Sequence, residues 1–169
     1  MSREKRFLKY FELLKNRPEA FDESSLINII KDEKTMGEYE DKTGKKLGVI
    51  YDSPYTILVV DLIEGENNGN YTYERILPKF QKGAIVAMVK CQDGFILLKQ
   101  YRHAIRDFQY CFPRGFAEED KSPEENVKKE ISEEIGADVI SIEKLGELTP
   151  DSGITSNKVT YYLCEVNEF

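Results

Sequence analysis

An α/β fold is predicted for this chain, and three observations predict it. Strand-like runs at residues 84–91, 95–102, 140–148 and 158–166 surround one well-delimited helix. A second apolar segment rich in β-branched and aromatic residues covers 47–62 and 71–77. A helical pattern opens the chain at 2–15. Segments that alternate between periods of two and 3.6 residues build mixed layers and not an all-helical or all-strand core.

The elements follow in order. Phe7, Leu8, Phe11 and Leu14 recur at helical spacing within residues 2–15, an amphipathic helix. From Asn16 to Lys46 the chain is charged, with scattered apolar residues and a turn-like Lys42-Thr43-Gly44-Lys45, and reads as irregular with at most a short helix or strand. LGVIYD at 47–52 and YTILVVDL at 55–62 are strands separated by Ser53-Pro54. Asn67-Asn68-Gly69-Asn70 signals a turn before the strand YTYERIL at 71–77, which Pro78 ends. AIVAMVKC at 84–91 is a buried strand, Gln92-Asp93-Gly94 a hairpin turn and FILLKQYR at 95–102 its partner, with a short strand around Tyr110–Phe112 to follow. ISIEKLGEL at 140–148 and KVTYYLCEV at 158–166 supply two more strands, with a Pro-Asp-Ser-Gly loop between them.

The helix between these strand groups is the most informative element. Ser122 is its N-cap, Pro123 suits the first helical position, and Glu125 completes a Ser-x-x-Glu capping box. Val127, Ile131 and Ile135 form the buried stripe, and Gly136 ends the helix as a left-handed cap. At about 100° per residue, Glu130, Glu133 and Glu134 share an arc of roughly 100° that borders this stripe. Clustered carboxylates repel one another unless a cation neutralises them, and a hard, oxygen-seeking ion such as Mg²⁺ or Mn²⁺ does so. The bland alternative is a solvated acidic face in a chain with 33% charged residues.

Composition narrows the remaining classes. The 169 residues are enough to bury a real core, and 40% hydrophobic content argues against disorder. No apolar run approaches the roughly 20 residues of a membrane span, and charges scattered through MSREKRFLKYFELLK exclude a secretory signal there. Cys91, Cys111 and Cys164 are odd in number with no CxxC pair, which reads as reduced thiols of a cytoplasmic protein. A net charge of −7 disfavours nucleic acid as a partner, while small phosphorylated substrates remain compatible where metal ions and a few arginines supply local positive charge. His103 is the sole histidine, so mechanisms needing two are excluded, and it reads as a packed or hydrogen-bonded residue.

The segment GFAEEDKSPEENVKKEISEEIG, from Gly115 to Gly136, resembles the signature of the Nudix hydrolases, G-x5-E-x7-R-E-U-x-E-E-x-G-U with U a bulky aliphatic. Gly115, Glu130, Ile131, Glu133, Glu134 and Gly136 fall at the required offsets. Three positions depart: Lys121 replaces the first glutamate, Lys129 replaces the arginine, and Ala137 is smaller than the usual last aliphatic. The resemblance places the metal-holding group intact and the bracing pair altered, so that Glu118, Glu119 or Asp120 is left to brace the loop. It implies an α/β/α sandwich around a mixed sheet over about residues 82–166, a Nudix domain at 81–169, and an N-terminal helix and antiparallel β extension at 1–80 that serves dimerisation. The stretches GAIVAMV, LLKQYRHAI and FPRGFAEED further resemble the ADP-ribose pyrophosphatase branch.

What the resemblance implies for chemistry is metal-dependent hydrolysis of the diphosphate bond in a nucleoside diphosphate derivative, ADP-ribose or a nucleotide sugar. Glu130 and Glu134 become the principal Mg²⁺ ligands, with Mn²⁺ as a substitute. Glu133 is a further ligand or orients the attacking water, and the backbone carbonyl of Arg114 completes the set. Glu133 and Glu134 are thus the catalytic candidates. Arg102 matches an arginine that contacts substrate phosphate, and a guanidinium suits phosphate because it binds in a bidentate way and stays charged; the alternative is a surface arginine at a strand end. Arg75, with Tyr71 and Tyr73, either lines a base or sugar pocket or packs within its strand. Many members of that branch carry a glutamate in the loop that here reads PDSGITSNKV, and Lys158 falls about where it belongs, with Asp151 the nearest acid. The competing reading is a Nudix-fold protein that binds a nucleotide without cleaving it; a third possibility is that residues 1–80 assemble with another protein.

Overall fold

The first helix forms because Ser2 caps it and its inward side is apolar. In a computed structural model of the chain, describing residues 1–22, 26–65, 69–80, 82–92, 94–118 and 120–167, α1 spans Arg3–Asn16, and the Ser2 hydroxyl accepts from the Lys5 N–H at 3.3 Å. Its buried residues are Arg6, Phe7, Tyr10 and Leu13, whereas Leu8 is 61% exposed and Phe11 and Leu14 are half-buried. The stripe is thus rotated from the predicted one, because Arg6 and Tyr10 enter the interior through specific polar partners. A 3₁₀ turn, Pro18–Phe21, follows.

Residues 16–46 are more ordered than their composition suggests. After the two-residue β1, Ile29–Ile30, comes α2, Glu33–Thr43, capped by Asp32 onto the Thr35 N–H at 2.7 Å and closed by Gly44 in the left-handed region at φ 72°. Only Met36 and Glu40 of α2 are buried, so the helix carries almost no apolar periodicity for a sequence pattern to register. Tertiary partners hold it instead. Glu40 takes the Arg6 guanidinium at 2.5 Å and the Leu47 N–H at 2.6 Å, and Arg6 also donates to the Leu47 carbonyl at 3.0 Å.

The chain divides into two compact units. The first comprises Met1–Lys79 with Asp151–Ser156. In it β2 (Gly48–Asp52), β3 (Thr56–Ile63) and β4 (Tyr71–Pro78) run antiparallel, with β3 central and β1 beside its end. Phe7, Tyr10 and Leu13 of α1 pack with Leu47, Val59, Leu62 and Leu77 as its core. The expected turn at 67–70 falls partly outside the described residues.

The second unit comprises Phe80–Pro150 with Asn157–Phe169. Its mixed sheet is ordered β10 (Val139–Leu148), β11 (Val159–Val166), β5 (Ala84–Cys91), β6 (Gly94–Phe95), with β9 (Arg114–Phe116) also on β5. The β5–β11 pair is parallel and the other pairs are antiparallel. Helix α3, Pro123–Ile135, lays Val127 and Ile131 onto Ile85, Ala87 and Val89 of β5. Burying an aliphatic side chain of this size stabilises by about 1.5–3 kcal/mol relative to exposure.

The expected hairpin partner at 95–102 is corrected. Gly94–Phe95 pairs with β5, and the Ile96 N–H adds one bond to the Val89 carbonyl at 2.9 Å; Leu98–Arg102 forms β7 and pairs instead with β8, Asp107–Cys111, as a separate two-stranded ribbon. Asp93, at the centre of the expected turn, lies outside the described residues. The ribbon carries the Gln100-Tyr101-Arg102 stretch away from the main sheet's ladder.

Candidate active site

The site is built on α3 and the loop that enters it. Both halves of the capping box form: the Ser122 hydroxyl accepts from the Glu125 N–H at 3.2 Å, and Glu125 accepts from the Ser122 N–H at 2.7 Å. Gly136 closes the helix in the left-handed region at φ 68°. These caps set which side chains of α3 face the entry loop.

Gly115 explains itself at this point. A Cβ there would sit 2.1 Å from Glu130 Oε1 and 2.5 Å from Oε2, so only glycine lets the Glu130 carboxylate rest on the backbone of β9. Burial pushes the Glu130 carboxyl above its ordinary range; the charges of Glu134, Glu133 and Glu118 add to the rise, and Lys129 opposes it. Glu134 is held at both oxygens, Oε1 by the Gln100 amide at 2.9 Å and Oε2 by the Arg114 N–H at 3.0 Å. Glu133 is 58% exposed on its side chain and lies 3.3 Å from the Lys129 ammonium.

The altered brace is re-formed by Glu118. Its carboxylate pairs with Lys121 and, at 2.6 Å, with Lys129. Hydrogen bonds to Lys121 first and Lys129 second hold its carboxyl down at about 2. Its backbone is fixed as well, since the Glu118 N–H donates to Asn126 Oδ1 at 2.9 Å and Asn126 is buried in the first turn of α3. The two lysines therefore clamp one acid between loop and helix, where the signature has an acid and an arginine. Glu119, the second bracing candidate, lies outside the described residues.

The donor chemistry of this cluster fits a hard divalent cation: three carboxylates on one helical face, one of them raised by burial first and by its neighbours' charge in addition. The carboxylates do not yet converge, and among the described residues no three acidic, histidine or cysteine side chains stand together at metal-holding distance. Glu134 is turned to Gln100 and Arg114 and Glu133 to Lys129. Each Glu134 oxygen accepts one described hydrogen bond and so retains a lone pair.

Beside the cluster a cleft of about 430 Å³ is bordered by Arg102, Arg114, Phe116, Tyr161 and Val86. Val86 alternates along β5 with the core residues Ile85 and Ala87. The Arg102 guanidinium donates from Nη2 to Gln100 Oε1 at 2.5 Å and to Cys111 Sγ at 3.2 Å. Its Nε is buried with no hydrogen-bond partner among the described residues, so a donor remains beside the cleft.

The other predicted residues lie elsewhere. Arg75 is turned inside the first unit, where it meets Asp61 at 2.5 Å, donates to the Ala20 carbonyl at 2.7 Å and stacks over the Phe21 ring; Asp61 also takes the Tyr10 hydroxyl at 2.6 Å. Tyr73 donates to the Gly153 carbonyl. His103 is exposed and takes the Arg106 guanidinium at 3.1 Å. Lys158 faces Glu147 at 3.3 Å. Gln100, Phe116 and Tyr161 escaped the sequence reading as site residues, although Gln100 and Arg102 stand two apart on one strand and so share a face.

Residues 79–168 match the NUDIX domain family. Among solved structures the chain resembles one titled "Crystal structure of ADP compounds hydrolase", with a TM-score of 0.61 and 19% identity, over 69% of this chain and 63% of that one. At that identity the likeness concerns the fold, and the chain spans less than two thirds of that protein's length. A comparison with curated proteins returns no match. With the domain match covering more than half of the chain, and with the glycine, the glutamates and the helix caps of the signature gathered in one loop-and-helix unit, this protein belongs to the Nudix family.

Proposed function

We propose that the chain is a Nudix pyrophosphohydrolase, a metal-dependent hydrolase that cleaves the diphosphate bond of a nucleoside diphosphate derivative, ADP-ribose or a nucleotide sugar foremost. The observation that carries this reading is the Glu130, Glu133 and Glu134 face of α3, set against Gly115 and Arg114 beside a cleft bordered by two arginines. Glu130 and Glu134 would hold Mg²⁺, or Mn²⁺ in its place, with Glu133 and the Arg114 carbonyl as further donors. A divalent cation bound there offsets the negative charge that develops on the diphosphate as water attacks it.

The protein's own groups do the rest. Arg102 and Arg114 grip phosphate oxygens and hold the diphosphate in place. Phe116 and Tyr161 offer apolar surface to the base or sugar. Glu133, the most exposed of the three carboxylates, orients the water. The ADP compounds hydrolase likeness supports an ADP derivative as substrate. The three cysteines, all free thiols, accord with the reducing environment of a cytoplasmic location.

One observation favours the second reading, a nucleotide-binding protein without catalysis: Lys129 replaces the arginine of the signature and pairs with Glu133. A panel of nucleoside diphosphate derivatives separates the two. Hydrolysis of the diphosphate yields two phosphomonoesters, measured as phosphate after phosphatase treatment. Turnover with Mg²⁺ and none in EDTA supports the enzyme; binding of a panel member with no turnover under either condition supports the sensor.

A further inference from the structure

Gln100 occupies a place that neither the signature nor the arginine motif accounts for. It lies half-buried on β7 between the two charged halves of the site. Its Oε1 accepts from Arg102 Nη2 at 2.5 Å and from the Cys111 thiol at 3.3 Å, while its Nε2 donates to Glu134 Oε1 at 2.9 Å. The amide has one possible orientation: a guanidinium offers only donors and a carboxylate only acceptors, so oxygen must face Arg102 and nitrogen must face Glu134. Both contacts involve a charged group, the stronger class of hydrogen bond.

We infer that Gln100 is a positioning residue that ties the phosphate-gripping Arg102 to the cation-holding Glu134, and so couples the two halves of the site. The inference rests on the function proposed above. Three features of the geometry carry it. The Arg102 Nη2 has described bonds only to Gln100 and Cys111, so the amide fixes where the guanidinium stands at the cleft. The bond to Glu134 Oε1, with the Arg114 N–H on Oε2, selects one carboxylate rotamer and leaves lone pairs for a cation. Arg102 and Glu134 have no described bond to each other, so Gln100 is the link between them.

The test compares wild type with Gln100→Met, Arg102→Met and their double variant. Methionine keeps length and apolar bulk while removing both polar ends. Two probes are titrated separately by calorimetry: Mn²⁺ alone, and ADP in EDTA, with melting temperature as a control on folding. Loss of outer hydrogen bonds to metal ligands weakens metal by about 10–100-fold, and Gln100→Met is expected in the lower part of that range for Mn²⁺. ADP is expected to weaken by about tenfold in Gln100→Met, the scale of a hydrogen bond to a charged group. Because Gln100 acts on ADP through Arg102, the double variant should bind ADP no more weakly than Arg102→Met alone. Strictly additive losses for ADP, or unchanged Mn²⁺ affinity in a Gln100→Met protein that melts like wild type, overturn the inference. Wild type that binds both probes while Gln100→Met binds both equally well removes Gln100 alone. Wild type that binds neither removes the site reading and Gln100 with it.

Discussion

Glu118 shows how a departure from the signature is absorbed at the scale of single residues. Its carboxyl is held down at about 2, against an ordinary 4.5, by Lys121 and Lys129. A depressed folded-state pKa means that the clamp contributes fully above the ordinary carboxylate range and is lost as pH falls through about 2. Glu118→Gln should therefore melt below wild type at neutral pH, with the gap shrinking as the solution is acidified; a gap that does not depend on pH would contradict the clamp. The same substitution leaves Lys129 with Glu133 as its remaining described partner, so apparent Mg²⁺ affinity should fall by several-fold. Glu130 has the opposite sign. Its raised carboxyl costs folded stability at neutral pH, and that cost is relieved as pH falls through the carboxylate range. Glu130→Gln in EDTA should thus melt at or above wild type at pH 7, and scanning calorimetry reads the difference. Only part of this was legible in the sequence. The spacing of the glutamates and the loss of the acid–arginine brace are local, whereas the choice of Glu118 among three neighbouring acids depends on Asn126, whose buried amide fixes the Glu118 backbone.

Helix α3 was the most legible element, because its cap, stripe and stop are written within one short segment and both halves of the box form as read. Ser122→Ala should cost about 1 kcal/mol, measured by urea denaturation. Gly115→Ala probes the contact between loop and helix. The methyl group would meet the flexible end of Glu130 rather than backbone, so the fold should survive with little change in melting temperature. The Glu130 carboxylate must move aside, however, and metal-dependent turnover should fall by about 10–100-fold. Wild-type turnover in Gly115→Ala would show that the Glu130 position does not matter. Helix α2 was not legible, for a physical reason. It buries only Met36 and Glu40, and its stability rests on Arg6 and Leu47, seven or more residues away in sequence. The split of 95–102 into two pairings escaped for a related reason: an apolar run shows that a strand forms but not which strand it joins.

At the scale of the whole molecule, we propose that the N-terminal unit supports a homodimer. Tyr51, Tyr71 and Tyr73 of its strands are exposed, although α1 packs against the same sheet. Exposed aromatic surface on a sheet calls for cover, and a two-fold contact is the commonest source. Light scattering at micromolar concentration should give about twice the 19.6 kDa chain mass; a monomer would leave these tyrosines as solvated surface. The central claim is that the carboxylate face of α3 serves metal-dependent cleavage of a diphosphate. It is tested most directly by measuring ADP-ribose hydrolysis by wild type and Glu134→Gln, each with Mg²⁺ and with EDTA. The account predicts wild-type turnover with Mg²⁺ and none in EDTA, a fall of about 10²-fold in Glu134→Gln with Mg²⁺, and a cooperative melt of Glu134→Gln in EDTA, lowered by no more than the one hydrogen bond that the glutamine NH₂ cannot accept. Undiminished turnover in Glu134→Gln, or wild-type turnover that persists in EDTA, would contradict it.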